Sequence, residues 1–106
     1  HQPHVPNAPA VRFCNRTGRG RYSDAMVEMD EAVGALMRLV REVGASRQTL
    51  TLFTSDNGPW KEMGSAGGST QPYRGGKFTT YEGGVRMPAI VHWPGVVRGG
   101  STSGGV

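Results

Sequence analysis

The glycines of this chain are distributed so unevenly that they limit what its two halves can form. Four of them lie in residues 1–57, and the other thirteen lie in the last 49 residues. Glycine weakens helices and strands because it loses the most conformational freedom on folding. The second half is therefore expected to supply only one or two short elements to a core. Because a domain of this size buries roughly two-thirds of the surface that its unfolded chain exposes, we expect that the chain does not fold alone.

The first half contains one strong helical pattern. Apolar residues at spacings of three and four share one face of a helix; here they are Met26, Met29, Val33, Leu36, Val40 and Val43. Ser23 or Asp24 is suited to cap the start, and Gly44 marks the end. The pattern predicts an amphipathic helix over about residues 22–43.

Two apolar segments predict strands. Residues 49–55 are β-branched and aromatic with partial alternation, which is typical of a strand buried on at least one face. Residues 85–92 form the second segment, in which Pro88 indicates an edge or a bulge. A helix, a short loop and a strand make half of an αβ unit, so the chain is expected to be α/β, with helices packed on a sheet. Residues 60–84 predict a long, glycine-rich functional or mobile loop between the strands.

Bulk properties exclude several classes of protein. With 106 residues the chain holds at most one domain. It has no apolar run near the ~20 residues that span a bilayer, and its one cysteine, Cys14, excludes an internal disulfide framework and a cysteine-based zinc site. The chain starts at His1 rather than at a methionine and shows no signal-peptide pattern, so it is expected to be a mature product or a fragment.

The net charge of +4 has a local source. Four arginines fall together with no acidic residue among them: Arg12, Arg16, Arg19 and Arg21. Such a cluster suits an anion, and a solvated basic loop explains it equally well. Both interpretations stay open.

Polar residues follow the first predicted strand. Ligands of open α/β sheets bind beyond the carboxyl ends of the strands, and Asp56 and Asn57 offer a carboxylate and an amide oxygen there. These hard donors suit Ca²⁺ or Mg²⁺ better than zinc. A simple turn explains Asp-Asn-Gly-Pro as well, and two ligands fall short of the roughly six to eight oxygens of a Ca²⁺ site.

Basic side chains elsewhere offer anion binding and proton transfer. Lys77 follows two glycines whose amides are free to approach an anion, so it is a candidate to fix a phosphate or sulfate oxygen, although no Walker motif is present. His1 and His4 are candidate proton donors or acceptors, and an exposed histidine near a chain end is the plainer alternative. Asn15 opens an N-glycosylation sequon, which is usable only in a secretory compartment.

Taken in chain order, these pieces resemble the sulfatase family, in particular its arylsulfatase and N-acetylgalactosamine-6-sulfatase branch. The stretches that carry the resemblance are His-x-Pro, GRGRYSDAMVEMDEAVGALM, TLTLFTSDNGP and YRGGKFTTYEGGVRMPAIVHWPG. The resemblance implies that residues 1–97 are the later part of an alkaline-phosphatase-like α/β/α sandwich. Residues 98–106 are then a Gly/Ser-rich tail or the start of the next segment.

The resemblance also implies a role for each candidate residue. Asp56 and Asn57 would ligate a Ca²⁺ ion that holds the sulfate group, and Lys77 would contact sulfate oxygens. His1 would lie near the ester oxygen and protonate the leaving alcohol of an aryl or carbohydrate sulfate. His4 is an alternative register, but the proline two places after His1 fits the family motif better.

Parts of the family's active site are missing from this chain. The family's nucleophile is a formylglycine made from the cysteine of a Cys-x-Pro-Ser-Arg motif, and Cys14 does not lie in such a motif. The paired acidic ligands of the family's first strand and the lysine and histidine of its middle region are also absent. The resemblance therefore implies that the first half of the catalytic domain is a required partner and that this chain alone does not turn over substrate.

Two other functions are weighed against this one. A phosphodiesterase or phosphonate hydrolase of the same superfamily needs similar metal ligands and charge neutralisation. GRGR and the Arg-Gly-Gly triplets at 74–76 and 98–100 point to an RNA-binding segment, but such segments are disordered and lack an amphipathic helix followed by an apolar strand. We therefore expect no nucleic-acid partner. The sequon and the family together indicate the lysosome, the endoplasmic reticulum or the extracellular space, with a bacterial periplasm as the alternative.

Overall fold

A computed structural model describes residues 3–104. In chain order its main elements are helix α1 (Arg21–Glu42), strand β1 (Thr51–Thr54), the single helical turn α2 (Glu82–Val85) and strand β2 (Ala89–His92). Short 3₁₀ helices are also present at Val11–Phe13, Ser46–Gln48 and Lys61–Ala66. One long helix and two strands confirm the predicted α/β class.

Helix α1 confirms the helix predicted from the apolar spacing, within one residue at each end. Gly44 adopts a φ of 72°, the left-handed conformation with which glycine commonly ends a helix. The predicted start is wrong in one respect, because Gly20 precedes the helix and no side chain caps it. Asp24 does not cap the helix because its carboxylate binds the preceding loop instead.

The two strands pair antiparallel over four residues each. Both are shorter than the predicted segments 49–55 and 85–92. Val85 belongs to α2, where its amide donates a helical hydrogen bond, and Pro88 has no amide hydrogen with which to extend the ladder. The second strand therefore begins only at Ala89.

The two faces of this sheet differ in what covers them. Thr51 lies on the face that meets α1, where its hydroxyl contacts Met37 Sδ at 3.7 Å. Leu52 and Val91 are paired on the opposite face, and they are 61% and 46% exposed. Ile90, which shares the face of Thr51, is itself 62% exposed. The described residues therefore cover neither face of the sheet completely.

The interior is small. Phe13 and Ala25 are the hydrophobic residues that are buried within the described part of the chain, and the Val11–Phe13 turn packs against α1. Leu36 and Val43, from the predicted apolar stripe, are 58% and 66% exposed. The stripe was predicted correctly as a helix face, but within residues 3–104 it is only partly covered. None of the helices described here combines the length and the apolarity that crossing a bilayer requires.

Candidate active site

The loop after β1 carries the two candidate metal ligands. Its first residue, Ser55, donates its hydroxyl to the Asn57 carbonyl at 3.0 Å and so turns the chain at the end of the strand. Asp56 is exposed and Asn57 is half-buried. The Ser55 hydroxyl also lies 3.5 Å from Asp56 Oδ1. Both side chains therefore stand at the strand end as hard oxygen donors.

This donor set fits one part of a Ca²⁺ shell. Carboxylate and amide oxygens are ligands that Ca²⁺ prefers, and the ion takes about six to eight of them. Between residues 3 and 104, no group of three or more histidine, cysteine, aspartate or glutamate side chains is placed to hold a metal. Asp56 and Asn57 thus have the right chemistry but do not form a complete site with other described residues.

Four glycines connect this loop to the loop that carries the candidate lysine. We call them the glycine joint: Gly58, Gly76, Gly83 and Gly84. The Gly58 amide donates to the Gly84 carbonyl at 2.9 Å, and the Lys77 amide donates to the Pro59 carbonyl at 2.9 Å. These bonds bring the backbone of Lys77 next to the end of the Asp56-Asn57 turn.

The joint needs glycine because the backbones approach too closely for side chains. A Cβ on Gly58 would collide with the Gly83 carbonyl oxygen and lie 2.8 Å from the Gly83 carbonyl carbon. A Cβ on Gly76 would lie 2.8 Å from the Pro59 carbonyl oxygen. Only a residue without a side chain permits such contacts. The glycines therefore fix the separation between the two candidate loops.

The Lys77 side chain lies among aromatic rings. Its Nζ is 5.8 Å from the ring centroid of Trp60 and 5.3 Å from that of Phe78. Ring faces attract an ammonium group within about 6 Å, so they hold the charge in place without neutralising it. The ion pairs found within the described residues do not include Lys77. Its charge is therefore available to an anion.

The rest of the glycine-rich segment folds back on itself. The Arg74 guanidinium lies 3.9 Å from the Tyr81 ring centroid, and that of Arg86 lies 4.9 Å from Tyr73. Arg86 also forms an ion pair with Glu82 of α2 at 3.3 Å. Stacking and backbone bonds thus brace the predicted long loop around Lys77.

The structure describes only one of the two candidate proton donors, His1 and His4. His1 lies outside the described residues. His4 is exposed, and its Nδ1 donates to the Val5 carbonyl at 2.8 Å, which leaves Nε2 to exchange a proton. Pro6 stands two places after His4, just as Pro3 stands two places after His1. The His-x-Pro pattern therefore fits both histidines and does not favour His1 over His4.

Two members of the arginine cluster have partners within the chain. Arg12 and Arg16 form ion pairs with Glu31 of α1 at 3.6 and 3.1 Å. Both guanidinium groups also lie against the ring of the buried Phe13. These contacts explain the positions of the Arg12 and Arg16 side chains without a bound anion.

Asp24 organises the loop that carries the glycosylation sequon. Its Oδ1 accepts hydrogen bonds from the backbone amide of Thr17 at 2.9 Å and from the Thr17 hydroxyl at 2.8 Å. Its Oδ2 accepts one from the backbone amide of Asn15 at 2.8 Å. Because Thr17 donates to the ionised form, the pKa of the Asp24 carboxyl is lowered, although burial acts in the opposite direction. Asn15 is exposed with a φ of 60°. The sequon asparagine is thus on the surface, while its threonine hydroxyl is engaged.

A strand end with hard oxygen donors and a neighbouring unpaired lysine defines the class of site that binds an anion with a metal ion and a fixed positive charge. The described residues include candidates for one part of such a site. The chain belongs to the sulfatase family, whose family model matches residues 1–104. The match confirms the resemblance found in the sequence.

The relatives of this chain are much longer than the chain itself. Over 102 residues it is 45% identical to arylsulfatase A from Homo sapiens, a match that covers 96% of this chain and 20% of that protein. Over 101 residues it is 43% identical to N-acetylgalactosamine-6-sulfatase from Mus musculus, with 94% and 19% covered. The chain thus spans about a fifth of the length of the curated relatives that it matches.

A solved structure shares the fold. The crystal structure of the PsFucS1 sulfatase from Pseudoalteromonas sp. matches with a TM-score of 0.86 at 42% sequence identity. The match covers 91% of this chain and 19% of that one. The described elements are therefore part of a sulfatase fold, as predicted.

Proposed function

We propose that this chain supplies part of the active site of a sulfuric ester hydrolase. The other part comes from the rest of a longer polypeptide that contains this chain, which we call the parent enzyme. The share of each relative that the chain covers supports this division. The open sheet face at Leu52 and Val91 supports it too, because the parent enzyme would cover that face with the third layer of the α/β/α sandwich.

Each candidate residue has a role in this proposal. Asp56 and Asn57 hold Ca²⁺, which when bound neutralises charge on the sulfate group. Lys77 holds a sulfate oxygen through its ammonium group. His4 or His1 donates a proton to the leaving alcohol oxygen, since an imidazole can supply a proton near neutral pH. The formylglycine nucleophile belongs to the parent enzyme, so this chain alone is inactive.

The glycine joint is the observation that carries the proposal. Sulfate ester cleavage requires a metal ligand set and a lysine around one sulfate group. In the sequence Asn57 and Lys77 are 20 positions apart. The hydrogen bonds from Gly58 to Gly84 and from Lys77 to Pro59 bring the two loops together.

Replacing Lys77 in the parent enzyme tests the proposal. Lys77→Ala is expected to lower kcat/KM for 4-nitrophenyl sulfate in the presence of Ca²⁺ by roughly 10²- to 10³-fold, the effect of losing one charge-stabilising donor. The chain offers a matched control in Lys61, its other lysine, which is exposed. Lys61→Ala is expected to change kcat/KM less than about threefold. An equally small effect of Lys77→Ala would remove the basis of the proposal.

Two further assays separate the alternatives. Hydrolysis of the diester bis(4-nitrophenyl) phosphate by the parent enzyme, at a higher kcat/KM than the sulfate ester, would favour the phosphodiesterase alternative. Sulfatase turnover by the isolated chain that disappears on Lys77→Ala would show that the chain needs no partner. We do not expect the first result, because the family match is to sulfatases. We do not expect the second, because the nucleophile and the remaining metal ligands lie in the rest of the parent enzyme.

We also propose that the parent enzyme matures in the secretory pathway and carries a glycan on Asn15. The exposure of Asn15 supports this assignment, since a glycan needs a surface position. When the parent enzyme is expressed in secretory cells, peptide-N-glycosidase is expected to lower its mass, and Asn15→Gln is expected to remove the share of that shift due to this site. A peptide containing unmodified Asn15 as the sole form in mass spectrometry would contradict the assignment.

A further inference from the structure

Asn7 ties the segment that carries His4 to the loop that follows the candidate metal ligands. Its side-chain Nδ2 donates to the Ala66 carbonyl at 2.7 Å, across 59 positions of the chain. His4 lies three positions before Asn7, and Pro6 between them restricts the backbone through its ring. The hydrogen bond to Ala66 therefore limits where His4 can lie.

Asn7 is enclosed by this chain itself. It is 7% exposed, and further residues packed around the same conformation can only lower that fraction. Its Oδ1 is buried and accepts no hydrogen bond from residues 3–104. Because an unsatisfied buried oxygen costs stability, an apolar side chain of the same size would serve packing better. The advantage of an asparagine at this position therefore comes from the bond that its Nδ2 makes.

The acceptor of this bond is itself fixed to the candidate site. Gly67, the residue after Ala66, packs so closely on Trp60 that a Cβ would lie 2.9 Å from the Trp60 carbonyl carbon. Trp60 directly follows Pro59, whose carbonyl accepts the Lys77 amide at 2.9 Å. Backbone contacts thus connect Ala66 to the end of the Asp-Asn-Gly-Pro turn and to Lys77. Asn7 joins the segment of the candidate proton donor to these contacts.

We propose that Asn7 is a positioning residue that holds His4 where it can protonate the leaving alcohol oxygen. This inference rests on the proposed function, since it requires a histidine that supplies this proton, and it selects His4 rather than His1. Asn7 is buried, so it acts through the backbone of its segment and not by touching the substrate. A general acid must lie within hydrogen-bond distance of the oxygen that it protonates. Loss of the bond to Ala66 should therefore weaken protonation of the leaving group.

Two substituted phenyl sulfates, which are similar in size and shape, separate protonation from other effects. The 4-nitrophenolate ion is weakly basic and leaves readily, whereas the 4-methoxyphenolate ion is more basic and depends more on a proton from the enzyme. Each variant of the parent enzyme is compared with wild type on the same ester, so that differences in intrinsic reactivity cancel. A variant that impairs protonation loses more kcat/KM on the 4-methoxy ester.

Asn7→Leu removes the donor and keeps most of the bulk of the side chain. It is expected to lower kcat/KM about 10- to 100-fold for 4-methoxyphenyl sulfate, up to the effect of a displacement near 1 Å. The loss for 4-nitrophenyl sulfate should stay below about threefold. Asn7→Ala is the second variant, in case leucine does not fit, and it should give the same selective loss.

Thr70→Val is the matched control for the loss of a buried hydrogen bond. Thr70 is 8% exposed, and its hydroxyl donates to the Tyr73 carbonyl at 3.3 Å. This bond also joins a buried polar side chain to a carbonyl, but it connects neighbours within one loop and does not hold the segment of His4. Thr70→Val is therefore expected to change kcat/KM for the two esters by the same factor, whatever its effect on Tm.

His4→Ala, measured alongside, separates a failure of this inference from a failure of the proposed function. Selective losses on the 4-methoxy ester in His4→Ala and in an Asn7 variant support the role of Asn7. A selective loss in His4→Ala, with equal losses or none in both Asn7 variants, overturns that role and leaves the proposed function intact. Equal losses on both esters in His4→Ala remove His4 as the proton donor, and the inference fails with it.

Discussion

Gly58→Ala tests whether close backbone packing positions the candidate site. Gly58 is not among the glycines with positive φ, so alanine fits its backbone conformation and the effect of the substitution comes from lack of space. The added Cβ would collide with the Gly83 carbonyl oxygen and lie 3.1 Å from Gly84 Cα. These are backbone atoms, so the strand-end loop and α2 must move apart.

The cost of that separation follows from two terms. Forcing a methyl group into a packed site costs about 1–3 kcal/mol. Breaking the hydrogen bond from Gly58 to Gly84, which is 2.9 Å long, costs about 0.5–1.5 kcal/mol more. We expect Gly58→Ala to destabilise the parent enzyme by roughly 2–4 kcal/mol. We also expect kcat/KM to fall by about 10²-fold, since a displacement near 1 Å between reacting groups has an effect of that order.

The assay is thermal unfolding of the parent enzyme, together with kcat/KM for 4-nitrophenyl sulfate. Gly99→Ala is the matched control, because a Cβ on Gly99 meets no atom within 4 Å. It should change stability by less than about 0.5 kcal/mol. If Gly58→Ala behaves like Gly99→Ala in both measurements, the joint does not set the distance between the two loops, and the reasoning is refuted.

Three other predictions follow from the same structure. Asp56→Asn keeps the shape of the side chain and removes its charge, so the Ca²⁺ concentration for half-maximal activity of the parent enzyme should rise at least about tenfold; an unchanged Ca²⁺ titration would exclude Asp56 as a ligand. The Asp24 carboxylate stabilises the fold above its ordinary pKa of 3.8, and this stabilisation is lost as the pH falls through the lower pKa of the folded state. Asp24→Asn should therefore lower Tm at pH 7 more than at pH 3, and equal shifts at both pH values would contradict the role of its charge. The open face at Leu52 and Val91 should make the isolated chain bind a hydrophobic dye, and Leu52→Ser should weaken that fluorescence; a signal that does not respond to Leu52→Ser would place the dye elsewhere.

The sequence predicts those elements of the fold that depend on local pattern. The apolar spacing from Met26 to Val43 predicts α1 to within one residue, because helical period is encoded in consecutive turns. The second strand is predicted too long at its start, where residues 85–88 read as a continuation of the apolar run. Val85 instead closes α2, since Gly83 and Gly84 pack against the Arg74-Gly75-Gly76 backbone. That contact joins distant segments, so local propensity does not reveal it.

In the candidate site, too, the sequence reveals the residue types but not the contacts between distant segments. Hard oxygen donors at a strand end and a lysine after glycines are recognisable by residue type, which is how Asp56, Asn57 and Lys77 were selected. Their proximity depends on backbone hydrogen bonds between loops, and no sequence pattern specifies those. The sequence analysis does not single out Trp60 and Phe78, whose rings lie beside the Lys77 ammonium group, although each directly follows one of the two motifs.

The uneven distribution of glycine has a cause beyond loop flexibility. At the four positions of the glycine joint, a Cβ would meet backbone atoms of another segment. At Gly64, Gly99 and Gly104 it would meet nothing within 4 Å. The glycines in this half of the chain therefore occur in two opposite environments, the closely packed joint and open turns. The joint positions the candidate site, because it lets a segment with few regular elements hold the Lys77 backbone beside the turn that follows β1.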